Sequence, residues 1–269
     1  MTVSLGPAAL VRIAGRDAGA FAHAQFTSDV RALAEGAWQW SAWLDAQGRA
    51  RAFFLLLRVG AEELLAWQPL GETATMTTAL ARFVFRAAVR IEPIDATVEA
   101  IVVQTDALEA GRVAHSDAGW TLMLTDGRAV RLAPGDPRPA DAPALAQWRQ
   151  RDVEARLPLL PAAMAGECTP QALDLESIDA IRFDKGCYPG QEIAARLHFR
   201  GGNKRHPHRA TVQGSAIVEA GDELFDPTGG VAGRILYVAG STPQRALAVL
   251  ADGSSHRLTT NAGAILLID

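Results

Sequence analysis

The chain has 269 residues, 49% hydrophobic and 21% charged, with a formal net charge of −4. That length holds one large domain or two to three small ones with ample core. An acidic balance argues against a general nucleic-acid or membrane-surface binder, although a local basic patch stays open, and no apolar run approaches the ~20 residues that span a bilayer. Cys168 and Cys187 are the only cysteines, too few for a disulfide scaffold and unable to build a tetrahedral zinc site without histidines. A reducing, cytoplasmic compartment is expected, and Met1-Thr2-Val3-Ser4 lacks the charged start and apolar stretch of a signal peptide.

In chain order, the first predicted element is a helix over residues 17–30, with Phe21, Ala24 and Gln25 on one side and Thr27-Ser28-Asp29 ending it. Residues 38–44 alternate large and small side chains as a strand does, and Asp45-Ala46-Gln47-Gly48 supplies a turn. Strands over 52–59 and 64–67 continue a meander. A helix is predicted over 73–85, with Leu80, Phe83 and Val84 at helical spacing. Strands at 88–91 and 99–104, a short helix near Ala107 and a hairpin around Asp126-Gly127 follow. Helices and strands alternate without one repeating unit, which reads as α+β.

Pro134-Gly135-Asp136-Pro137-Arg138-Pro139, with Pro143 close behind, cannot continue a helix or a central strand and reads as a linker. A helix over 144–155 comes next. Beyond Arg209, short apolar runs are separated by glycine, as at Asp226-Pro227-Thr228-Gly229-Gly230 and Ala251-Asp252-Gly253. This pattern predicts a small antiparallel β-domain.

One run carries the chemistry: Lys185-Gly186-Cys187-Tyr188-Pro189-Gly190-Gln191-Glu192. A thiol becomes useful when a cation or a helix N-terminus lowers its pKa. Lys185 lies two residues from Cys187, and Gly190 is placed to cap a helix over 191–197. The alternatives are a cysteine buried as a small hydrophobe and a lysine solvated at the surface.

This run, with Pro170-Gln171-Ala172-Leu173-Asp174-Leu175, Ile181-Arg182-Phe183-Asp184, Ala195-Arg196 and Phe199-Arg200-Gly201-Gly202-Asn203-Lys204-Arg205, resembles the YgfZ family. That family is similar to the aminomethyltransferase (T-protein) of the glycine cleavage system. Phe26-Thr27-Ser28-Asp29-Val30 and Gly233-Arg234-Ile235 extend the likeness to both ends of the chain. The resemblance implies a three-domain cloverleaf around a central hole that binds tetrahydrofolate. Residues 1–46 and 134–204 would form a discontinuous first domain, 47–133 a middle α+β domain and 205–269 a closing antiparallel β-barrel. The implied function is folate-dependent support of the assembly or repair of iron–sulfur proteins, including radical enzymes that methylthiolate tRNA.

The resemblance also assigns roles. Cys187 becomes the working thiol, holding iron or sulfide or exchanging with an oxidised partner, with Lys185 stabilising its thiolate. Gly186 and Gly190 supply backbone freedom, and Tyr188 either walls the site or packs in the core. Gln191 and Glu192 occupy a first helical turn, where the helix dipole favours a carboxylate. Glu154, in Arg151-Asp152-Val153-Glu154-Ala155-Arg156-Leu157-Pro158, matches the transferase glutamate that hydrogen-bonds the pterin, since a carboxylate accepts two parallel N–H donors. Arg156 departs from that pattern's glycine.

Arg196, Arg200 and Lys204 lie in a basic stretch with Arg205, Arg209, His198, His206 and His208. They are expected to hold the glutamate tail of the folate, or the phosphates or carboxylates of an RNA or protein partner; a solvated face is the alternative. The histidines alternate rather than repeat at four, so no metal site is expected. The transferases carry an acidic pair just after a Gly-Gly turn. Gly48-Arg49 matches that turn and places Ala52-Phe53 at the pair, while Asp45 precedes it. A folate-dependent one-carbon (aminomethyl) transferase is therefore the second reading. Cys168 reads as a packing thiol.

Overall fold

The computed structural model describes residues 1–101, 109–240 and 243–269. The chain opens with β1 (Thr2–Pro7), β2 (Ala9–Ala14) and α1 (Ala18–Gln25), then the meander β3 (Ala37–Leu44), β4 (Ala50–Gly60) and β5 (Glu63–Gln68). α2 (Thr73–Ala81), β6 (Arg90–Ile94), β7 (Ala96–Ile101), β8 (Val113–Ser116), β9 (Gly119–Met123) and β10 (Ala129–Pro134) follow. α3 (Ala142–Glu154) and α4 (Gln191–Arg200) are joined by a long irregular segment with a 3-10 turn at Ala162–Met164. Six strands complete the chain: β11 (Arg205–Gln213), β12 (Glu223–Phe225), β13 (Val231–Ala239), β14 (Arg245–Ala251), β15 (Arg257–Thr259) and β16 (Ile265–Ile268).

The strands form two five-stranded antiparallel sheets, ordered β3-β4-β5-β2-β6 and β1-β7-β10-β9-β8, and a closed barrel ordered β11-β14-β13-β12-β15-β16. The expected α+β class and C-terminal antiparallel barrel are both present. β4 is apolar on both faces because both are covered. Ala52, Phe54 and Leu56 pack with Phe21, Met76 and Leu80 of α1 and α2. Phe53, Leu55 and Leu57 face the opposite way, into a core shared with α3, the second sheet and barrel residues Leu236 and Tyr237. The barrel interior is a third core, built around Leu224, Ile235, Leu250 and Leu266.

Several elements differ from the sequence expectation. α1 ends at Gln25 because Phe26 turns extended (φ −105°, ψ 158°) and bridges to Trp43. The Thr27 hydroxyl is held by the carbonyls of Ala42 and Ala180. α2 stops at Ala81, and the residues expected to continue it form turns, leaving Phe83 and Phe85 exposed. The short helix expected near Ala107 lies outside the described residues. α3 begins at Ala142, earlier than expected, because the Asp141 side chain accepts from the Ala144 N–H at 2.9 Å and caps it. Residues 46 and 47, the expected edge of the middle domain, lie in the β3–β4 turn, whose hydrogen bonds pair Ala37–Leu44 with residues 50–58. Strand pairing unites residues 9–94 in one sheet and joins β1 to residues 96–134 in the other.

Candidate functional site

The motif residues lie on a loop between Arg182 and α4, and that loop is pinned from beneath. Lys185 Nζ donates to the carbonyls of His23, Phe26 and Ser28 at 2.7, 2.6 and 2.8 Å. All three ammonium donors are thus spent where α1 ends, satisfying carbonyls that a helix terminus leaves open. Burial draws the Lys185 pKa down to about 8, with Asp29 acting against the fall. Tyr188 is buried under the same loop. Its hydroxyl donates to the Arg182 carbonyl at 3.1 Å, and the Lys185 ammonium stands 5.1 Å from its ring centre. Cys187, between these two anchors, is exposed.

Gly190 opens α4 with φ +74°, and a Cβ there would stand 2.3 Å from the Asp45 carbonyl oxygen. Both conformation and close approach therefore demand glycine. Gly186 is outside the positive-φ set, and a Cβ on it would meet His23 Nε2 at an ordinary 3.5 Å. Gln191 is half-buried and Glu192 exposed in the first turn of α4.

The two thiols sit in opposite environments. Cys168 is 6% exposed, and burial, helped by Glu167, pushes its pKa up to about 11. Iodoacetamide at pH 8 is expected to label Cys187 in the native protein and leave Cys168 unmodified until the chain unfolds, because only a thiolate attacks. Peptide mapping by mass spectrometry checks this; equal labelling of both would contradict the burial of Cys168.

His23 packs beneath Gly186, almost wholly buried, with Nδ1 3.3 Å from an Asp29 carboxylate oxygen. Burial, with Lys185 and Arg31 nearby, lowers its pKa. The unfolded chain therefore takes up a proton near pH 6.5 that the folded chain refuses until lower pH. Stability is expected to fall as pH drops below about 6.5, and His23→Gln should flatten that fall. Urea midpoints between pH 7.5 and 5 read this out, and identical slopes for both proteins would remove His23 as the cause.

The predicted cofactor residues lie on α3, on α4 and just before β11. Glu154 is exposed at the end of α3, and Arg196 and Arg200 are exposed on α4. Lys204 lines a cavity of about 560 Å³, together with Arg49, Glu167, Cys168, Arg205 and Arg234. No spacing in the sequence connects Arg49 or Arg234 to Lys204, because separate elements deliver them. Where the two sheets, α3 and the barrel meet, aromatic side chains fill the space. Trp40 stacks on Phe53 (centroids 4.7 Å apart, 12° between planes) and meets Trp38 edge-on. The gap bounded by Trp40, Trp67, Trp148, Asp152 and Leu159 measures only about 10 Å³.

No protein-family model matches the chain. It is 30% identical over 224 residues to an uncharacterized protein of Haemophilus influenzae, covering 82% of this chain and 77% of that one. It is 28% identical over 246 residues to the tRNA-modifying protein YgfZ of Escherichia coli strain UMN026, covering 82% and 75%. The YgfZ protein of strain K12 DH10B is 29% identical over 240 residues, covering 80% and 73%. The chain belongs to the YgfZ family. Its fold is that of the glycine cleavage system aminomethyltransferase T from Bartonella henselae, with TM-score 0.66 and 16% identity over 99% of this chain and 83% of that one.

Phe53 is stacked on Trp40 in the core. Ala52 faces the helices instead. The gap beside this stack is bounded also by Trp67, Trp148 and Asp152. Asp152, the carboxylate found there, is already bound by Arg128 and Arg149. Among the described residues, no cluster of three His, Cys, Asp or Glu side chains is grouped for a metal. None of the described helices is long and apolar enough to cross a membrane.

Proposed function

We propose that this protein is a folate-binding accessory factor that supports assembly or repair of iron–sulfur enzymes, among them enzymes that methylthiolate tRNA. The observation that carries the reading is the presentation of Cys187. Its side chain faces solvent while residues 185 and 188 are anchored inward, so a partner protein reaches the thiol on a loop of fixed shape. A thiolate is a soft ligand suited to iron and to sulfur exchange, and the iron or sulfide is cargo. Lys185 holds the loop, Tyr188 floors it, and Gly190 lets it pass close to the β3–β4 turn. The names of the E. coli relatives support the tRNA-modification part of the reading.

The test is rescue. Expression of the wild-type chain in a bacterium lacking its own family member should restore tRNA methylthiolation, measured by mass spectrometry of tRNA nucleosides. Failure with folded protein present would turn attention to the second reading, a folate-dependent aminomethyl transferase. That alternative draws on the fold shared with aminomethyltransferase T. It is opposed by the Phe53–Trp40 stack, which puts an apolar pair at the position the resemblance gives to the transferase carboxylates.

A further inference from the structure

We infer that the segment between α2 and β6, residues 82–89, is a docking surface for an unpaired stretch of RNA. It carries Arg82, Phe83, Phe85 and Arg86 within five residues. Phe83 and Phe85 are 50% and 76% exposed. A bare aromatic ring is a platform on which a nucleobase stacks, and a guanidinium matches a phosphate. The backbone, not the rings, holds the segment in shape. The N–H groups of Phe83 and Val84 donate to the carbonyls of Leu80 and Ala81 at 2.9 and 3.2 Å. Ala88 donates to the Asp17 carboxylate at 2.7 Å and accepts from the Asp17 N–H at 3.3 Å.

The cations here are unspent. Among the described residues the Arg82 side chain has no partner, and that of Arg86 has only the Phe85 ring, 5.0 Å from its guanidinium carbon. Arg16 and Arg90 stand beside them, because Ala88 is tied to Asp17 and Arg90 pairs with Ala14 across β6 and β2. The carboxylates paired in this corner are engaged: Asp17 by the Ala88 N–H and by Arg16 at 3.7 Å, Glu92 by Arg12 at 3.3 Å and Arg90 at 4.0 Å. In a chain of net charge −4 this is a local basic patch of the kind that receives a polyanion.

The make-up of the patch selects the partner. Around the rings and arginines stand only half-buried Val84 and the small side chains of Ala81, Ala87 and Ala88, so the surface offers flat rings and charge and little else apolar. A protein partner is anchored by large side chains seated in pockets. A duplex keeps its base faces stacked inside, whereas an unpaired strand uses rings and cations together. The choice of RNA rests on the tRNA part of the proposed function.

Fluorescence anisotropy of a labelled, unstructured RNA oligonucleotide titrated with the full chain tests this. Phe85→Ala is expected to weaken binding at least about fivefold and leave its salt dependence unchanged, because a stacking platform carries no charge. Phe85→Trp should keep wild-type affinity. The double variant Arg82→Gln/Arg86→Gln should lower the slope of log K against log salt by about 1.4, two phosphate contacts at about 0.7 each for a single strand. All four side chains are exposed, so the variants should fold, and a thermal melt checks that. Binding that ignores both sets of variants would overturn the surface, as would no binding by the wild type at about 50 mM salt. If no RNA binds, yet Phe85→Ala abolishes the rescue of tRNA methylthiolation that the wild type gives, the segment docks a protein; the RNA proposal then fails while the proposed function stands.

Discussion

Replacing Cys187 with serine is expected to reduce rescue of tRNA methylthiolation to the level of an empty vector, with no measurable change in folding. Serine keeps the shape of cysteine but has neither a soft ligand atom nor a hydroxyl that ionises near neutral pH. The loop does not depend on the thiol for its conformation. Its anchors are the three carbonyls gripped by Lys185 and the buried Tyr188, with Gly190 fitting against the Asp45 carbonyl. Cys187 itself is exposed, and surface substitutions away from such anchors usually change stability by less than about 0.5 kcal/mol. The melting temperature should therefore move by no more than about two degrees. Folate affinity should also persist, because the substitution leaves the anchors of the loop in place. A serine variant as active as wild type would mean that the thiol does not perform the chemistry and that the loop acts by shape alone.

How far the sequence foretold this arrangement depends on the range of each interaction. The β3–β5 meander, α3 and the barrel were legible because alternation, proline breaks and glycine turns act within a few residues. β1 and β2 were not. β2 buries Leu10, Val11 and Ile13, but its partners are β5 and β6, at least 49 residues away (Ala14 pairs with Glu63), and the stretch before it is broken by Gly6 and Pro7. The early end of α1 is likewise a tertiary effect, set by Trp43 and by Lys185 reaching back 157 to 162 residues in the chain.

The same argument divides the site. In the structure the motif carries an exposed thiol at Cys187 and, at Gly190, a turn that needs glycine. Lys185 reads as a thiolate partner from its nearness in sequence, yet its donors all go to the carbonyls of His23, Phe26 and Ser28, at and just beyond the end of α1. The filling of the centre is invisible locally, since Trp40, Trp67 and Trp148 each look like ordinary core residues. Only the fold brings all three to one gap.

Asp152→Ala should give the largest loss of stability. Asp152 and Arg128 have side chains 2% and 4% exposed and meet at 2.7 Å, and Arg149 bonds the second carboxylate oxygen at 3.0 Å. Burial raises the Asp152 pKa and the two guanidiniums oppose the rise. Arg128 also lies 4.3 Å over the Trp148 ring and donates to the Trp148 carbonyl, while Arg149 donates to the Pro69 carbonyl at 2.6 Å. The carboxylate thus ties α3 to the β9–β10 turn and to the residue after β5. Removing it leaves Arg149 without a carboxylate and Arg128 with Asp126 alone (2.6 Å), and breaking a buried pair in this way costs about 3–5 kcal/mol, a large part of the roughly 5–15 kcal/mol that holds a domain together. Asp152→Asn keeps one acceptor but not the charge and should fall between wild type and Ala. Urea denaturation followed by tryptophan fluorescence reads this directly, since Trp148 stands within the network. An Ala variant within about 1 kcal/mol of wild type would show that water or neighbouring carbonyls replace the carboxylate, and that the closed centre does not depend on it.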